Sequence, residues 1–463
     1  MDENKYRGSI VKVIGMSDTG EKIPAASGRI STQPGNATAI LEKSLDPEKN
    51  AKLISKVTKS GHNSTIEHTV FNLAFQDVSV FCEQFIIEFR LASFTVKSRR
   101  YVDFGSDGYY MPFIPEEYGD EFKKQMDSFY DDYNYFVENG VPKEDARFVL
   151  PYCLRSNFFC TVNARELLHI IQAMLFGRGS AFVELKNLGE QLFEQIEELT
   201  PGICTDFFSR RPKLSDKINI GFRFNDMKTD ETEHKETELL SYTLDAQKTI
   251  ARTALTESRQ YNSATIENII SDESNVEKII DIVLESSRPR PLETASYTFR
   301  INGVSLSTVT HFTRHRMQSL SIPSLTLTDR TKYILPDTIK NNPEFFNRYT
   351  NAFSRINDLY NDLKSKGVSD ELLVYCQLSG NTLDIVSTMN ARELIVFFSL
   401  RTCSRAQWEI RRLAHDMLMK LRETDPYLFN KFGPSCFMTS CPEGAFSCGK
   451  AAEIKEYYGK KDE

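Results

Sequence analysis

Asn163-Ala164-Arg165-Glu166-Leu167 returns, residue for residue, as Asn390-Ala391-Arg392-Glu393-Leu394, an interval of 227 positions. The turn signal Gly140-Val141 returns at the same interval as Gly367-Val368. Upstream, Glu67 ahead of an alternating apolar stretch matches Glu293, and Arg90-Leu-Ala-Ser93 matches Arg316-Met-Gln-Ser319, both 226 apart. Four anchors holding one interval to within a residue identify an internal repeat. The period is far too long for a solenoid, so each copy is a whole domain.

The 463 residues therefore divide into copy one, 1–215, and copy two, 216–463, with a cysteine-containing tail over 433–463. The boundary is expected near 209–222, where Pro, Gly and charge follow a long helical pattern. The polar stretch 223–240 reads as a surface connection. Each copy predicts an N-terminal helix (about 46–60 and 245–256) and alternating strands (about 68–80 and 294–301). A helix follows at 80–91 or 304–317, then a long one at 118–138 or 343–366. Two more close the copy, at 163–176 and 181–198 or 390–401 and 405–422. Short strands among longer helices without regular alternation imply an α+β fold, a small sheet packed with long helices.

Composition narrows the function. A formal net charge of −7 disfavours a broad grip on nucleic acid and leaves any anion to a local arginine cluster. No run approaches the length of a membrane span, and the start has no apolar stretch of signal-peptide length. Nine cysteines, an odd count without framework spacing, read as reduced thiols, so a cytoplasmic protein is expected. Cys436, Cys441 and Cys448 lie close together in the tail, but no Cys-x-x-Cys pair and no nearby His completes a tetrahedral set. An ordered, thiol-rich tail without metal is the expectation.

Chemistry concentrates in Arg314-His315-Arg316 and the residues around it. Two arginines flanking a histidine suit an anionic, flat group such as a phosphate or an electron-rich ring. An ordinary basic helix end gives the same pattern.

Taken with its surroundings, this segment resembles the Arg-His-Arg-x-x-Ser…Ser-x-Arg signature of flavin-dependent thymidylate synthases. His62-Asn-Ser64-Thr-Ile-Glu67-His68 is similar to the family's N-terminal His-x-Ser-x-x-Glu-His element. Arg147, then Asn163-Ala-Arg165, and Asn390-Ala-Arg392 through Arg401 to Gln407-Trp408-Glu409 follow in the family's order, once per copy. The resemblance implies FAD held by Arg314, His315 and Arg316, with Asn390, Arg392, His62, Ser64, Glu67, Asn163 and Arg165 as further contacts. It implies dUMP held by Ser98, Arg100, Arg147 and Arg401, with Arg401 and Arg100 acting in catalysis. The implied reaction methylates dUMP reductively to dTMP, using methylenetetrahydrofolate as co-substrate and NADPH as reductant. No enzyme nucleophile and no metal are expected, and the sites form between subunits of a tetramer.

Neither copy carries the whole set. Copy one has Glu88-Phe89-Arg90 in place of Arg-His-Arg and Met174 in place of the second nucleotide arginine, but keeps Ser98, Arg100 and Arg147. Copy two keeps Arg314 to Arg316 and Arg401, but has Thr326 and Val374 at the counterparts of Arg100 and Arg147. Either duplication let both copies decay into a flavin- or nucleotide-binding homologue without turnover, or the losses divide labour. Random decay should strike the same position in both copies about as often as complementary positions, and three arginine positions are complementary here. The second account is favoured, with composite sites in a homodimer that mimics the family tetramer. The Asn-Glu pair usual inside the signature is missing from both copies, as Thr95-Val96 and Ser321-Ile322, which leaves substrate identity and rate open.

Overall fold

A computed structural model of the chain describes residues 8–105, 107–210, 236–259 and 261–459. The expected boundary and the polar connection fall largely outside those residues.

The repeat seen in the sequence is a repeat of sheets. Strands β1 (Ile10–Met16), β2 (Val70–Ser79), β3 (Ala92–Val96) and β4 (Arg155–Asn163) pair antiparallel in the order β1-β2-β4-β3. In copy two the strands are β5 (Thr237–Tyr242), β6 (Ser296–Ser305), β7 (Gln318–Ser321), β8 (Asp329–Tyr333) and β9 (Asn381–Asn390). Their main path, β5-β6-β9-β7, has the order of the first sheet. The side-chain amide of Asn381 donates to the carbonyls of Arg330 and Lys332, on β8. Alternation along β2 buries Phe71, Leu73 and Phe75 and exposes Val70, Asn72 and Gln76, as a sheet with one covered face requires.

Even the irregularities repeat. The β2–β4 register shifts between Phe75 and Val78, where Asp77 takes φ 53°. The β6–β9 register shifts between Ile301 and Val304, where Gly303 takes φ 63°. Each bulge amide donates to the equivalent side chain across the ladder, Asp77 to Asn157 Oδ1 (3.1 Å) and Gly303 to Asp384 Oδ1 (2.9 Å). Beyond the bulge each strand ends on a serine that caps the next helix: Ser79 caps Val80–Ile87 and Ser305 caps Leu306–Phe312. A fully buried glutamate holds each of these corners. Glu184 accepts from the Ser79 amide (2.7 Å) and hydroxyl (2.5 Å), and Glu409 from the Ser305 amide (2.8 Å) and hydroxyl (2.5 Å).

By its internal contacts the chain forms two compact units, and the first draws on both repeats. The first comprises Met1–Thr229 with Ser324–Asn381, the second Asp230–Pro323 with Thr382–Glu463. Within the first unit the 23-residue helix Glu116–Glu138 of copy one packs against the 23-residue helix Pro343–Ser365 of copy two. Asp132, buried between them, accepts from Arg348 (2.6 Å) and Arg355. The backbone continues the join: Tyr152 N donates to Gln377 O and Ser379 N to Leu150 O, both at 2.9 Å. No helix among the described residues is long and apolar enough to cross a membrane.

Candidate functional site

In the first unit the nucleotide-binding candidates of copy one gather around one residue, Glu144. Arg100 Nε donates to Glu144 Oε2 at 2.9 Å, and Arg147 Nε donates to the Glu144 carbonyl at 3.2 Å. Ser98 Oγ accepts from the Arg100 amide at 3.3 Å, fixing the turn that aims the arginine. Arg147 is buried against Phe148, while Arg100 lies partly open over the Tyr101 ring. The short helical turn Lys143–Ala146 thus positions two guanidiniums, one through its carboxylate and one through a backbone carbonyl. Glu144 carried no signal in the sequence, because its neighbours Lys143 and Asp145 look like any exposed turn.

The flavin candidates of copy one divide by what they touch. Asn163 caps helix Ala164–Leu175 by accepting from the Glu166 amide (2.9 Å), and Arg165 pairs with Glu67 at 2.6 Å. His62 and Ser64 are exposed at the short 3-10 helix Asn63–His68. Ser64 does not cap that turn; His62 stands at the cap position and its side chain makes no cap bond. Copy two repeats the arrangement: Asn390 caps Ala391–Arg401 through the Glu393 amide (2.9 Å), and Arg392 pairs with Glu293.

In the second unit, Arg314, His315 and Arg316 lie beyond the helix expected to carry them. That helix spans Leu306–Phe312 rather than 304–317. The Gln318 side-chain amide (2.5 Å) and the His315 backbone amide (3.0 Å) both bond the Phe312 carbonyl and end the helix there. The turn leaves Arg314 and Arg316 exposed and rotates His315 inward, to 5% exposure.

His315 lies between two groups from one helix. Its Nδ1 is 3.1 Å from Glu393 Oε1, and its Nε2 is 2.9 Å from Arg401 Nε. An arginine Nε–H can only donate, so Nε2 is the acceptor and the ring proton resides on Nδ1, donated to Glu393. Burial is the main reason His315 stays below its ordinary pKa of 6.5; Glu393 opposes the shift, and Arg401 and Arg314 reinforce it. Arg401 Nη2 also reaches the His311 carbonyl at 3.4 Å. The arginine expected on the nucleotide base and the histidine expected on flavin thus form one hydrogen-bonded unit. Glu393, which orients it, sits inside the repeated pentapeptide and could have been read there as more than part of a helix start.

Copy one shows what remains when this unit is lost. Phe89 stands for His315 and the buried Met174 for Arg401. Glu166, the counterpart of Glu393, is 3.4 Å from His169, whose ring meets the edge of Phe89. The carbonyl of Phe85, counterpart of His311, accepts instead from Arg178 (3.4 Å), which lies over the Phe85 ring and pairs with Glu88 at 2.7 Å. Glu88, at the position of Arg314, thus gives copy one an acidic group where copy two has an exposed arginine.

A family model described as thymidylate synthase complementing protein, Thy1, matches residues 12–202 and again 238–427. The flavin-dependent thymidylate synthase of Clostridium tetani is 35% identical over 240 residues, covering 48% of this chain and 95% of its own. The enzyme of that name from Geobacter sulfurreducens is 36% identical over 189 residues, covering 40% and 82%. Each matches less than half of this chain, as one copy of a duplication would. A solved structure, a UMP/dUMP methylase PolB from Streptomyces cacaoi bound with 5-Br dUMP, covers 43% of this chain and 95% of its own at TM-score 0.38 and 20% identity.

Proposed function

The chain belongs to the thymidylate synthase complementing protein family through both of its repeats, and from that premise we propose that it is a flavin-dependent methyltransferase that converts dUMP to dTMP. The observation that carries the reading is the Glu393–His315–Arg401 chain, in which a histidine oriented by a carboxylate fixes the direction of an arginine. A guanidinium held in a fixed direction is suited to stabilise charge that builds on a uracil ring.

Arg314 and Arg316, exposed on either side of that histidine, are the donors for the anionic part of FAD; a turn presenting two guanidiniums fits such a group. Asn390, Arg392, His62, Ser64, Glu67, Asn163 and Arg165 are proposed around the flavin. The asparagines are committed to caps and Arg165 and Arg392 to carboxylates, so their part there is to shape the wall. Ser98, Arg100 and Arg147 would hold the phosphate of dUMP, and Arg401 its base. Bound flavin supplies the hydride that reduces the one-carbon unit delivered by methylenetetrahydrofolate, with NADPH restoring the flavin. The protein's own part is binding, orientation and charge stabilisation, which requires no enzyme nucleophile.

Because three arginine positions are complementary between the repeats, composite sites in a homodimer are proposed, copy one giving the phosphate and copy two the base and flavin. The first test is the absorbance of the purified protein, followed by titration with dUMP. A yellow protein whose flavin spectrum shifts with dUMP, and which forms dTMP when folate and NADPH are added, is the expected result. A protein that takes up no FAD and ignores dUMP overturns the reading. Flavin uptake and a dUMP response without dTMP would favour a binding homologue, the reading that the loss of the Asn-Glu pair at Thr95-Val96 and Ser321-Ile322 supports.

A further inference from the structure

The repeats differ at one corner that neither flavin nor nucleotide accounts for. In copy one the turn Pro201–Cys204 packs directly on the helix Pro47–Lys59. Gly202 allows that approach, since a Cβ there would come 2.6 Å from Ala51 Cα. In copy two the corresponding turn is Pro426–Phe429 and the corresponding helix is Glu273–Glu285. Tyr427 and Glu277 take the positions of Gly202 and Ala51. The Tyr427 hydroxyl lies 3.3 Å from the Glu277 carbonyl and donates to Asp281 Oδ2 at 3.0 Å, so a phenol stands between turn and helix. Beside it is a cavity of about 340 Å³, lined entirely by residues of the second unit. That volume falls within the range of small-molecule sites.

The cavity is acidic. Asp245, Glu273, Glu277 and Asp425 line it against a single cation, Lys248. Asp425 is 8% exposed and accepts only from neutral donors, Gln247 Nε2 at 2.6 Å and the Leu428 amide at 3.4 Å. Burial holds its carboxyl above the ordinary range, because those donors do not replace the hydration it has lost. Tyr297, 1% exposed, lines the same cavity, and its hydroxyl has no hydrogen-bond partner among the described residues. Copy one has Phe71 at this position, which needs none. A buried hydroxyl without a partner carries an unrepaid desolvation cost, which a bound ligand would remove.

The chemistry of that ligand follows from the charges. Helix Ala246–Arg259 begins at the cavity, but Asp245 and Asp425 already complement its positive end, so an anion would meet carboxylates. Among the described residues no three carboxylate, histidine or cysteine side chains stand together as metal ligands. The negative charge is spread along the wall, from buried Asp425 to Glu273 and Glu277, which are exposed and one helical turn apart. Tyr242, Tyr297 and Tyr427 add aromatic surface, which suits methylene groups and ammonium alike. We propose that this cavity binds a short aliphatic diamine, with one ammonium at the Asp425 carboxylate and the Tyr297 hydroxyl and the other at Glu273 and Glu277. The Tyr297 oxygen accepts an N–H, and Asp425 gains a cationic partner. No residue assigned above to flavin or nucleotide lines the cavity, so the site is independent of the methyltransferase reading.

The test is calorimetric titration of the full chain with putrescine at about 0.15 M salt. A saturable isotherm with about one diamine per chain is expected, and none with butanediol, which has the same carbon chain without charge. Tyr297→Phe, which writes in copy one's residue, should weaken binding about 5-fold without loss of thermal stability. Asp425→Asn keeps an oxygen for the Leu428 amide and should weaken binding about 10-fold or more. Glu198→Gln, an exposed carboxylate of copy one, should bind as the wild type does and so control for general attraction to an acidic protein. If Asp425→Asn lowers the melting temperature, Tyr297→Phe decides alone. Absence of saturable binding overturns the proposal, as does binding that both cavity substitutions leave unchanged. Displacement of putrescine by magnesium at matched ionic strength would assign the cavity to a metal and overturn it equally.

Discussion

The two repeats share a sheet, a bulge and a buried corner glutamate, yet they differ in polarity at three corresponding buried positions. In copy one, Arg99 and Glu83 are both buried and form a two-pronged ion pair at 2.6 and 3.0 Å, with Ser156 donating to the same carboxylate. In copy two the counterparts are Leu325, Val309 and Leu383, all buried. A buried ion pair and buried apolar residues of similar volume can be nearly equivalent in stability, because desolvation cancels much of the attraction. Half a pair is not equivalent to either. The comparison shows that Arg99, adjacent to Arg100 in the Ser-x-Arg segment, belongs to the fold and not to the ligand.

That contrast yields the largest expected effect. Glu83→Val or Arg99→Leu alone leaves a buried charge uncompensated and should destabilise the first unit by about 3–5 kcal/mol. The triple change Glu83→Val, Arg99→Leu and Ser156→Leu, which writes copy two's residues into copy one, should recover most of that loss. Urea unfolding of the three variants and the wild type measures it. If each single substitution costs under about 1 kcal/mol, Arg99 is not held as the structure shows.

Next in size is the division of the nucleotide site between the repeats. Arg401→Ala and Arg100→Ala should each lower kcat/KM for dUMP roughly 10- to 100-fold, the loss of one charge-assisted contact of about 1.5–3 kcal/mol. If one copy works alone, only one of the two substitutions will matter. Arg178→Ala serves as the internal control. This arginine reaches the carbonyl equivalent to the one Arg401 reaches, but its charge is spent on Glu88, so turnover should stay within about twofold.

His315→Phe is a smaller and more discriminating change, since phenylalanine already occupies this position in copy one. The ring keeps its edge contact with Phe397, 5.0 Å between centroids, while both hydrogen bonds are lost. A fall of about 10-fold in kcat/KM is expected, with the fold intact. Acid should mimic it. Burial holds the folded pKa of His315 below 6.5, so the unfolded chain binds more protons between the two values. The stability owed to the neutral ring is complete above 6.5 and is lost as pH falls through the folded pKa. Protonation also turns Nε2 into a donor facing the Arg401 Nε–H, which breaks the contact. The wild type should therefore lose dUMP affinity on the acid side, and His315→Phe should lack that limb.

The sequence carried the fold further than it carried the site. The repeated pentapeptide is legible because it is local: an asparagine cap, two charges and an apolar stripe occupy five consecutive positions. The exchange of 324–381 into the first unit is not, since nothing in a one-dimensional repeat states which copy's long helix packs on which. The helix expected over 304–317 ends at Phe312 because a side chain six residues on, Gln318, bonds its last carbonyl, and helical periodicity cannot register such a contact. Arg100 and Arg147 could be paired in advance by resemblance, but Glu144, which holds them both, could not. Glu83 was hidden more deeply, as one charge in the otherwise apolar helix Val80–Ile87 whose partner lies 16 residues away.

The smallest effect lies at the bulge, where the repeats differ by one residue in otherwise equal geometry. Asp77 and Gly303 both take positive φ, and both amides donate to the side chain at the equivalent position across the ladder. The left-handed region costs an L-residue energy through its Cβ, less for aspartate than for most, and costs glycine none. Glycine, however, has more unfolded freedom to lose, which offsets part of that relief. Asp77→Gly should therefore shift stability by less than about 1 kcal/mol, toward greater stability if the Cβ strain dominates. A cost above that would mean that the Asp77 side chain, and not the backbone alone, holds the bulge. Gly303→Ala brings the same Cβ into copy two without the polar group that helps aspartate tolerate this conformation, and should destabilise by about 1 kcal/mol. The sign of the difference between these two variants decides whether the bulge is set by the chain's own conformation or by the Asn157 and Asp384 side chains that hold its amide.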